Sequence, residues 1–324
     1  MMKGRAMRAV LIALGALIVG NANGEELTKI SVARLTLPGA ITAILDVLKD
    51  RGIDKRHGIE LEVKNYSTIS GFYGATSTGE VDMSVAGPWV LQKLRNQGAK
   101  VQAVFTFVPI SSLGVVTGDP KINGIKDLKG RSLAADMGSS EYLLLAMYAR
   151  SQGVELGKDV TVTQAGPPAA KAMLEAERVD AAMSWETNTT LLLKSNPKFR
   201  RVIGGETAWA ALTSSDTSHG WQLVLTLHED ATKRSPDAVR KLLAMWQDAA
   251  KFLLTNTKEA EEIDFRTVKL PLGVLTEALQ SKRLVYNIEP VWGPENQGIW
   301  DSFKLGVKYG YIKEMPDEKI LYKP

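Results

Sequence analysis

"INGIKDLKGRSLAADMGSSEYLLLAMYARSQG", residues 122–153, decides the fold. It runs as a turn, a short apolar strand, a Gly-Ser-Ser corner and a helix whose apolar residues recur at helical spacing. A strand feeding a helix through so short a corner is half of a parallel βαβ unit. The corner offers bare helix-start N–H groups and the hydroxyls of Ser139 and Ser140. No Lys stands by to hold a phosphate, and no base to activate a serine. Groups of this kind hold a polar ligand rather than react with it.

The same alternation continues outward in both directions. Toward the N-terminus it predicts strands at 29–35, 59–66, 82–87 and 101–108. Helices at 39–52, within 71–81 and from Pro88 separate them, Pro88 sitting where a missing N–H costs least. Beyond Pro109 the pattern restarts with strands at 112–118, 132–138, 160–166, 180–186 and 200–205. Helices at 139–152, 168–178 and 187–195 lie between them. Residues 206–220 show no clear period and are expected to form a crossing loop. A strand then starts at Trp221, followed by a long helix over 236–256 with Ser235 as N-cap, and mostly helical sequence to the end. Two α/β sets of similar size imply an α/β fold of two lobes, each with a mainly parallel sheet. The expected division is 25–111 plus 222–324 for lobe one and 112–221 for lobe two.

The first 24 residues stand outside this pattern. "MMKGRAMR" is basic, "AVLIALGALIV" is apolar, and Ala22 and Gly24 precede a plausible cut before Glu25. This is the form of a secretory signal, with an uncleaved tether as the alternative. About 300 residues would remain, enough for more than one lobe. The chain has 40 Lys and Arg against 36 Asp and Glu. Losing Lys3, Arg5 and Arg8 with the leader brings the two signs nearly level, so nucleic acid is not expected as a partner. There is no cysteine, which excludes thiol catalysis and thiolate metal sites.

The order "GIKDLKG", strand, "GSS", helix resembles the second-lobe opening of bacterial solute-binding proteins of ABC transporters. "STGEVDMSVAG" (77–87) and "ERVDAAMSWET" (177–187) resemble the matching strand openings of the two lobes. The similarity is greatest to the branch serving nitrate, sulfonates, taurine, bicarbonate and thiamine-pyrimidine precursors. Thr187 stands where that branch often has Pro. The resemblance implies a two-lobed periplasmic-binding-protein fold (type II, Venus-flytrap) and a periplasmic, monomeric protein. It implies no enzyme activity, no cofactor and no metal. The partners would be a small organic solute, sulfonate- or taurine-like or a related nitrogenous compound, and an inner-membrane permease and ATPase complex.

Ligands of open α/β sheets sit beyond the carboxyl ends of the strands. Those ends here are rich in Gly, Ser, Thr and aromatics. The expected ligand-binding set is Leu37, Pro38, Gly39, Ser70, Gly71, Gly87, Trp89, Gly138, Ser139, Ser140, Trp185 and Glu186. Trp89 and Trp185 each follow a buried strand and are expected to clamp the ligand from opposite lobes, although either could be a core residue. Ser139 is equally placed to cap its own helix. Glu186, if it faces the cleft, favours an ammonium or N–H group, and Asp136, Glu141 and Asp216 could add to that. Arg34 is the base nearest the mouth of the first strand, with a surface salt bridge as its alternative. So few bases in the cleft loops argue against a bare inorganic anion.

Enzyme motifs fail on inspection. His57, His219 and His228 have no metal-ligand spacing, and His57 is expected at a helix–strand turn. "GATSTGEV" (74–81) puts Glu80 where a phosphate loop needs Lys. Two other classes remain open. One is a small-molecule enzyme on the same scaffold, like the pyrimidine synthases, whose Cys-rich motif is missing here. The other is a ligand-sensing subunit of a membrane receptor.

Overall fold

A computed structural model describes residues 27–214, 220–234 and 236–324. The leader and its cut before Glu25, Asp216, His219 and the proposed N-cap Ser235 lie outside the described residues. In chain order the strands are β1 (Thr28–Leu35), β2 (Ile59–Tyr66), β3 (Met83–Ala86), β4 (Val101–Pro109), β5 (Gly114–Thr117), β6 (Ser132–Ala135), β7 (Thr161–Gln164), β8 (Ala181–Ser184), β9 (Arg200–Gly204) and β10 (Trp221–His228). They form two five-stranded sheets, ordered β2-β1-β3-β10-β4 and β7-β6-β8-β5-β9. In the first, β1 is parallel to β2 and β3, while β10 runs antiparallel between β3 and β4. In the second, β6 is parallel to β7 and β8, while β5 runs antiparallel between β8 and β9. The two sheets therefore repeat one plan, and the fold is two-lobed α/β.

The strand openings flagged in the sequence have a mechanical role. Asp82 accepts hydrogen bonds from the Ser31 N–H (2.9 Å) and hydroxyl (2.8 Å), tying the start of β3 to β1. Asp180 does the same for Ser132 at 2.7 and 2.6 Å, tying β8 to β6. Burial alone would raise both carboxyls, but these donors and the nearby Arg234 and Arg131 hold them below the usual range. The Gly-Glu-x-Asp and Glu-Arg-x-Asp runs are thus staples that set the order of strands in each sheet.

Helix Ala40–Asp50 packs Ile44, Leu45 and Leu48 into the core of the first lobe, where Phe107 and Trp246 also sit. The C-terminal third, after β10, covers that lobe with helices Pro236–Thr255, Thr257–Val268 and Val274–Gln280. Its tail bridges β4 through Phe105 with Pro290 and Ala103 with Leu321, covering an edge that would otherwise be open.

Residues 205–213 correct the sequence expectation of a loop. They form the helix Gly205–Thr213, burying Gly205, Ala208, Trp209 and Leu212. That spacing is helical, but it is short and interrupted by Thr and Glu, so tertiary packing supplies what periodicity did not. The chain crosses between the sheets at 110–113 and returns near Gly220, where the Ile110 N–H donates to the Gly220 carbonyl at 2.8 Å. Gly205 lies against the crossing: a Cβ there would meet the Ile110 carbonyl oxygen at 1.9 Å.

Candidate functional site

Because β1, β2 and β3 are parallel, their carboxyl ends open on one side, as do those of β6, β7 and β8. Helices begin directly after these ends, at Ala40, Ile69, Pro88, Ser140, Pro167 and Asn188. A cleft of about 710 Å³ lies between the two groups of helix starts. The first lobe supplies Leu37, Thr68, Ile69, Ser70, Tyr73 and Lys93, and the second Asp136, Gly138, Gln164, Gly166, Pro167 and Trp185. The Gly-Ser-Ser corner is held by its own hydrogen bonds. The Ser139 hydroxyl donates to the Asp136 carbonyl (2.8 Å) and accepts from the Tyr142 N–H (3.2 Å). Gln164 secures the same loop, accepting from the Met137 N–H (2.8 Å) and donating to the Asp136 carboxylate (3.1 Å).

Beneath the cleft is a second, smaller chamber of about 50 Å³. Leu37, Ile69, Tyr73 and Trp185 line both spaces, so the two adjoin at these side chains. Ser139, Glu141, Glu186 and Gln222 line only the chamber. Glu141 is buried, and the Gln222 amide donates to its carboxylate. Burial, together with the neighbouring charge of Asp136, pushes the Glu141 carboxyl up to about 7 against the pull of that amide. Burial and the charges of Glu141 and Asp136 also push the Tyr73 phenol upward. The Gln222 carbonyl oxygen and the Ser140 hydroxyl have no hydrogen-bond partner among the described residues.

Of the residues expected from the sequence, Leu37, Gly39, Ser70, Gly138, Ser139, Trp185 and Glu186 line one or both spaces. Ser139 fulfils its alternative as well, as the cap of its helix. Pro38 accepts from the Asn188 amide at 2.9 Å, a contact between lobes. The Gly71 N–H is taken by the Thr68 hydroxyl at 3.1 Å. Gly87 and Ser140 meet where the lobes touch: a Cβ on Gly87 would lie 1.9 Å from the Ser140 hydroxyl oxygen.

Two expectations need correction. Trp89 is not in the cleft; its indole N–H donates to the Ser302 carbonyl at 2.5 Å, and the ring packs in the core beside Gly306. The helix that starts at Pro88 turns its first aromatic inward, and the C-terminal helix Gln297–Lys308 receives it. Glu186 reaches the chamber wall, but its carboxylate is held by Arg283 at 2.7 Å and by the Thr190 N–H and hydroxyl at 3.2 and 2.7 Å. It is not free to meet an ammonium. Arg34 likewise takes its structural alternative, pairing with Asp46 at 2.7 Å. His57 ends the short helix Ile53–Arg56 at the turn into β2 and contacts Asp248 at 2.7 Å. No group of side chains suited to a metal ion occurs among the described residues.

Local sequence pattern gives no mark of Tyr73, Gln164 and Lys93 as site residues, and only a faint one of Gln222. Tyr73 was hidden because the helix was expected from residue 71, whereas it starts at Ile69 and turns Ile69, Ser70, Tyr73 and Gly74 toward the cleft. Gln222 sits second in a strand whose other residues are mostly apolar, and that polar exception was its only signal.

Two lobes that share a sheet plan, with one cleft between helix starts, define the periplasmic binding-protein fold. The profile of the family described as NMT1/THI5 like matches residues 45–260. The chain belongs to that family. A Brucella abortus (strain 2308) protein that bears the name "putative binding protein" is 22% identical over 290 residues, covering 87% of this chain and 86% of that protein. The periplasmic aliphatic sulphonate binding protein of Escherichia coli shares the fold at TM-score 0.74 and 18% identity, over 91% of this chain and 92% of that one. So does the ligand-binding component of an ABC-type import system from Staphylococcus aureus, at TM-score 0.70 and 16% identity, over 92% of this chain and 97% of that one.

Proposed function

We propose that this protein is the extracytoplasmic solute-binding component of an ABC importer. It captures a small organic solute between its lobes and delivers it to a permease and ATPase complex in the inner membrane. The observation that carries this is the cleft itself, sized for a small molecule and lined from both lobes around Trp185. The family and its structural neighbours support the same reading, as does the leader-like N-terminus. Among the residues lining the two spaces Lys93 is the sole Lys or Arg, which disfavours a bare inorganic anion. The solute is a sulfonate- or taurine-like molecule or a related nitrogenous compound.

A thermal-shift screen of the purified chain against taurine, alkanesulfonates, nitrate, pyrimidines and aromatic acids tests this. The expected result is saturable stabilisation by an organic member of the panel, recovered chemically unchanged after incubation. Conversion of the bound compound would favour an enzyme on this scaffold instead.

A further inference from the structure

The chamber below the cleft differs in chemistry from the space above it. Its lining includes the carboxylates of Glu141 and Glu186 and the Gln222 amide beside the donors Tyr73 and Trp185, and no Lys or Arg side chain lines it. The Gln222 amide N–H donates to Glu141, its carbonyl oxygen is buried without a partner among the described residues, and Gln222 is one of the residues that line the chamber. Gln222 is only 2% exposed and Glu141 5%. A buried acceptor without a donor costs about 1–3 kcal/mol, and a carboxylate without a cation costs more. Both costs fall if a donor-bearing group enters. The other carboxylate on the wall, Glu186, is already neutralised by Arg283 and makes no such demand.

We propose that the inner chamber receives a nitrogen-borne head group, an ammonium, an amidinium or the N–H edge of an amino-heterocycle, with Glu141 and Gln222 as its acceptors. The body of the solute then lies against Trp185 in the outer cleft, and any anionic end lies outward, toward Lys93. This rests on the solute-binding reading above and specifies which end of the solute goes in first. A sulfonate or carboxylate in the chamber would sit beside Glu141 and would offer Gln222 no hydrogen. The space of about 50 Å³ suits a head group, not a whole solute.

The proposal also fixes a pH dependence. The titratable and charged groups around Glu141 are Asp136 from the loop after β6, Tyr73 from helix Ile69–Thr78 and Glu186 after β8, the last paired with Arg283 from beyond helix Val274–Gln280; Ser139 and Gln222 complete its polar surroundings. None of these supplies a free cation. With its carboxyl at about 7, Glu141 is partly protonated near neutrality and must ionise to pair with a cation. Affinity for a permanently charged amine should therefore rise between pH 6 and pH 8.

The test compares matched probes by calorimetry: taurine against isethionate, which replaces the amine by a hydroxyl, and benzylamine against benzenesulfonate. The amine of each pair should bind at least about tenfold tighter. Glu141→Gln should erase about tenfold of that affinity and flatten the pH profile, while thermal unfolding shows an intact fold. Gln222→Met should weaken the amines without removing the pH dependence, which keeps the proposal open to test if Glu141→Gln fails to fold. Equal binding within pairs, or amine affinity unchanged in Glu141→Gln, overturns the proposal. Tight binding of isethionate or benzenesulfonate with a contraction of the protein in solution would leave the solute-binding reading standing and remove only the head-group assignment. No binding by any probe counts against both.

Discussion

Trp185 and Glu186 are adjacent, yet their side chains do different work. Trp185 is the largest side chain shared by the cleft and the chamber. Truncating it removes ring contact from any solute, so Trp185→Ala should weaken binding about tenfold or more; because the ring is also buried, urea unfolding should show a loss of stability of up to about 3 kcal/mol, while calorimetry on the folded variant reads the affinity. Glu186 is fully buried in its side chain and paired to Arg283. Glu186→Gln should instead cost roughly 3 kcal/mol of stability in urea unfolding, because it leaves Arg283 without its buried partner. A variant of normal stability that has lost solute affinity would show that Glu186 touches the ligand after all. A third residue carries a pH signature. Both carboxylate oxygens of Asp264 are buried without a hydrogen-bond partner among the described residues. Burial and the charge of Asp46 push its carboxyl up to about 7, against the pull of Arg34. A carboxyl raised in the folded state favours folding at acid pH and loses that advantage as the pH rises through about 7. Asp264→Asn should therefore stabilise the protein at pH 8 by on the order of a few kcal/mol and do little at pH 4. Denaturant unfolding at the two pH values reads the difference.

At the scale of elements, the two Asp–Ser staples hold each sheet's order. Each Asp accepts both the N–H and the hydroxyl of a serine in the neighbouring strand, Ser31 within β1 and Ser132 at the start of β6. Asp180→Ala should cost about 2–3 kcal/mol by leaving the Ser132 N–H without its acceptor, and Asp82→Ala a similar amount through Ser31. Because both carboxyls are lowered in the folded state, the stability they confer is present above the unfolded value near 3.8 and is lost as the pH falls further. Acid unfolding of the Asp180→Ala variant should accordingly be shallower than that of the parent. An unchanged acid limb would mean that other carboxylates dominate. The helix Gly205–Thr213 shows the limit of reading elements from sequence. Its burying residues, Ala208, Trp209 and Leu212, lie at helical spacing, but nine residues give too few turns to stand out from a loop.

For the whole molecule, the lobes already touch at defined points. Asn188 donates to the Pro38 carbonyl, Arg283 pairs with Glu186, and Lys194 pairs with Glu277 at 3.0 Å. Gly87 meets Ser140 with no room for a Cβ. The wide cleft lies alongside these contacts. A solute that bridges the lobes stabilises the form in which both walls reach it, so binding should shift the population toward closure. Small-angle scattering should show a smaller radius of gyration with a saturating ligand than without. An identical profile would mean a rigid, preformed site.

The sequence by itself determined the α/β alternation, the bounds of strands such as β2, the capped corner at Ser139 and the paired strand openings. All of these are set by residues within a few positions of one another, through period, cap chemistry and turn chemistry. What the tertiary structure decided was which side chains face the cleft. Trp89 and Trp185 follow equivalent buried strands, but a C-terminal helix more than two hundred residues downstream accepts the Trp89 indole into the core. Glu186 reads locally as a helix-start acid open to a ligand, until Arg283 docks from the far end of the chain. Gln222 carries no local mark beyond being polar in an apolar strand, and it becomes a wall of the chamber only because β10 returns to the first sheet beside the second lobe's Glu141. Local pattern fixes the period and direction of each element, whereas the partner of a side chain depends on long-range docking that no short window of sequence contains.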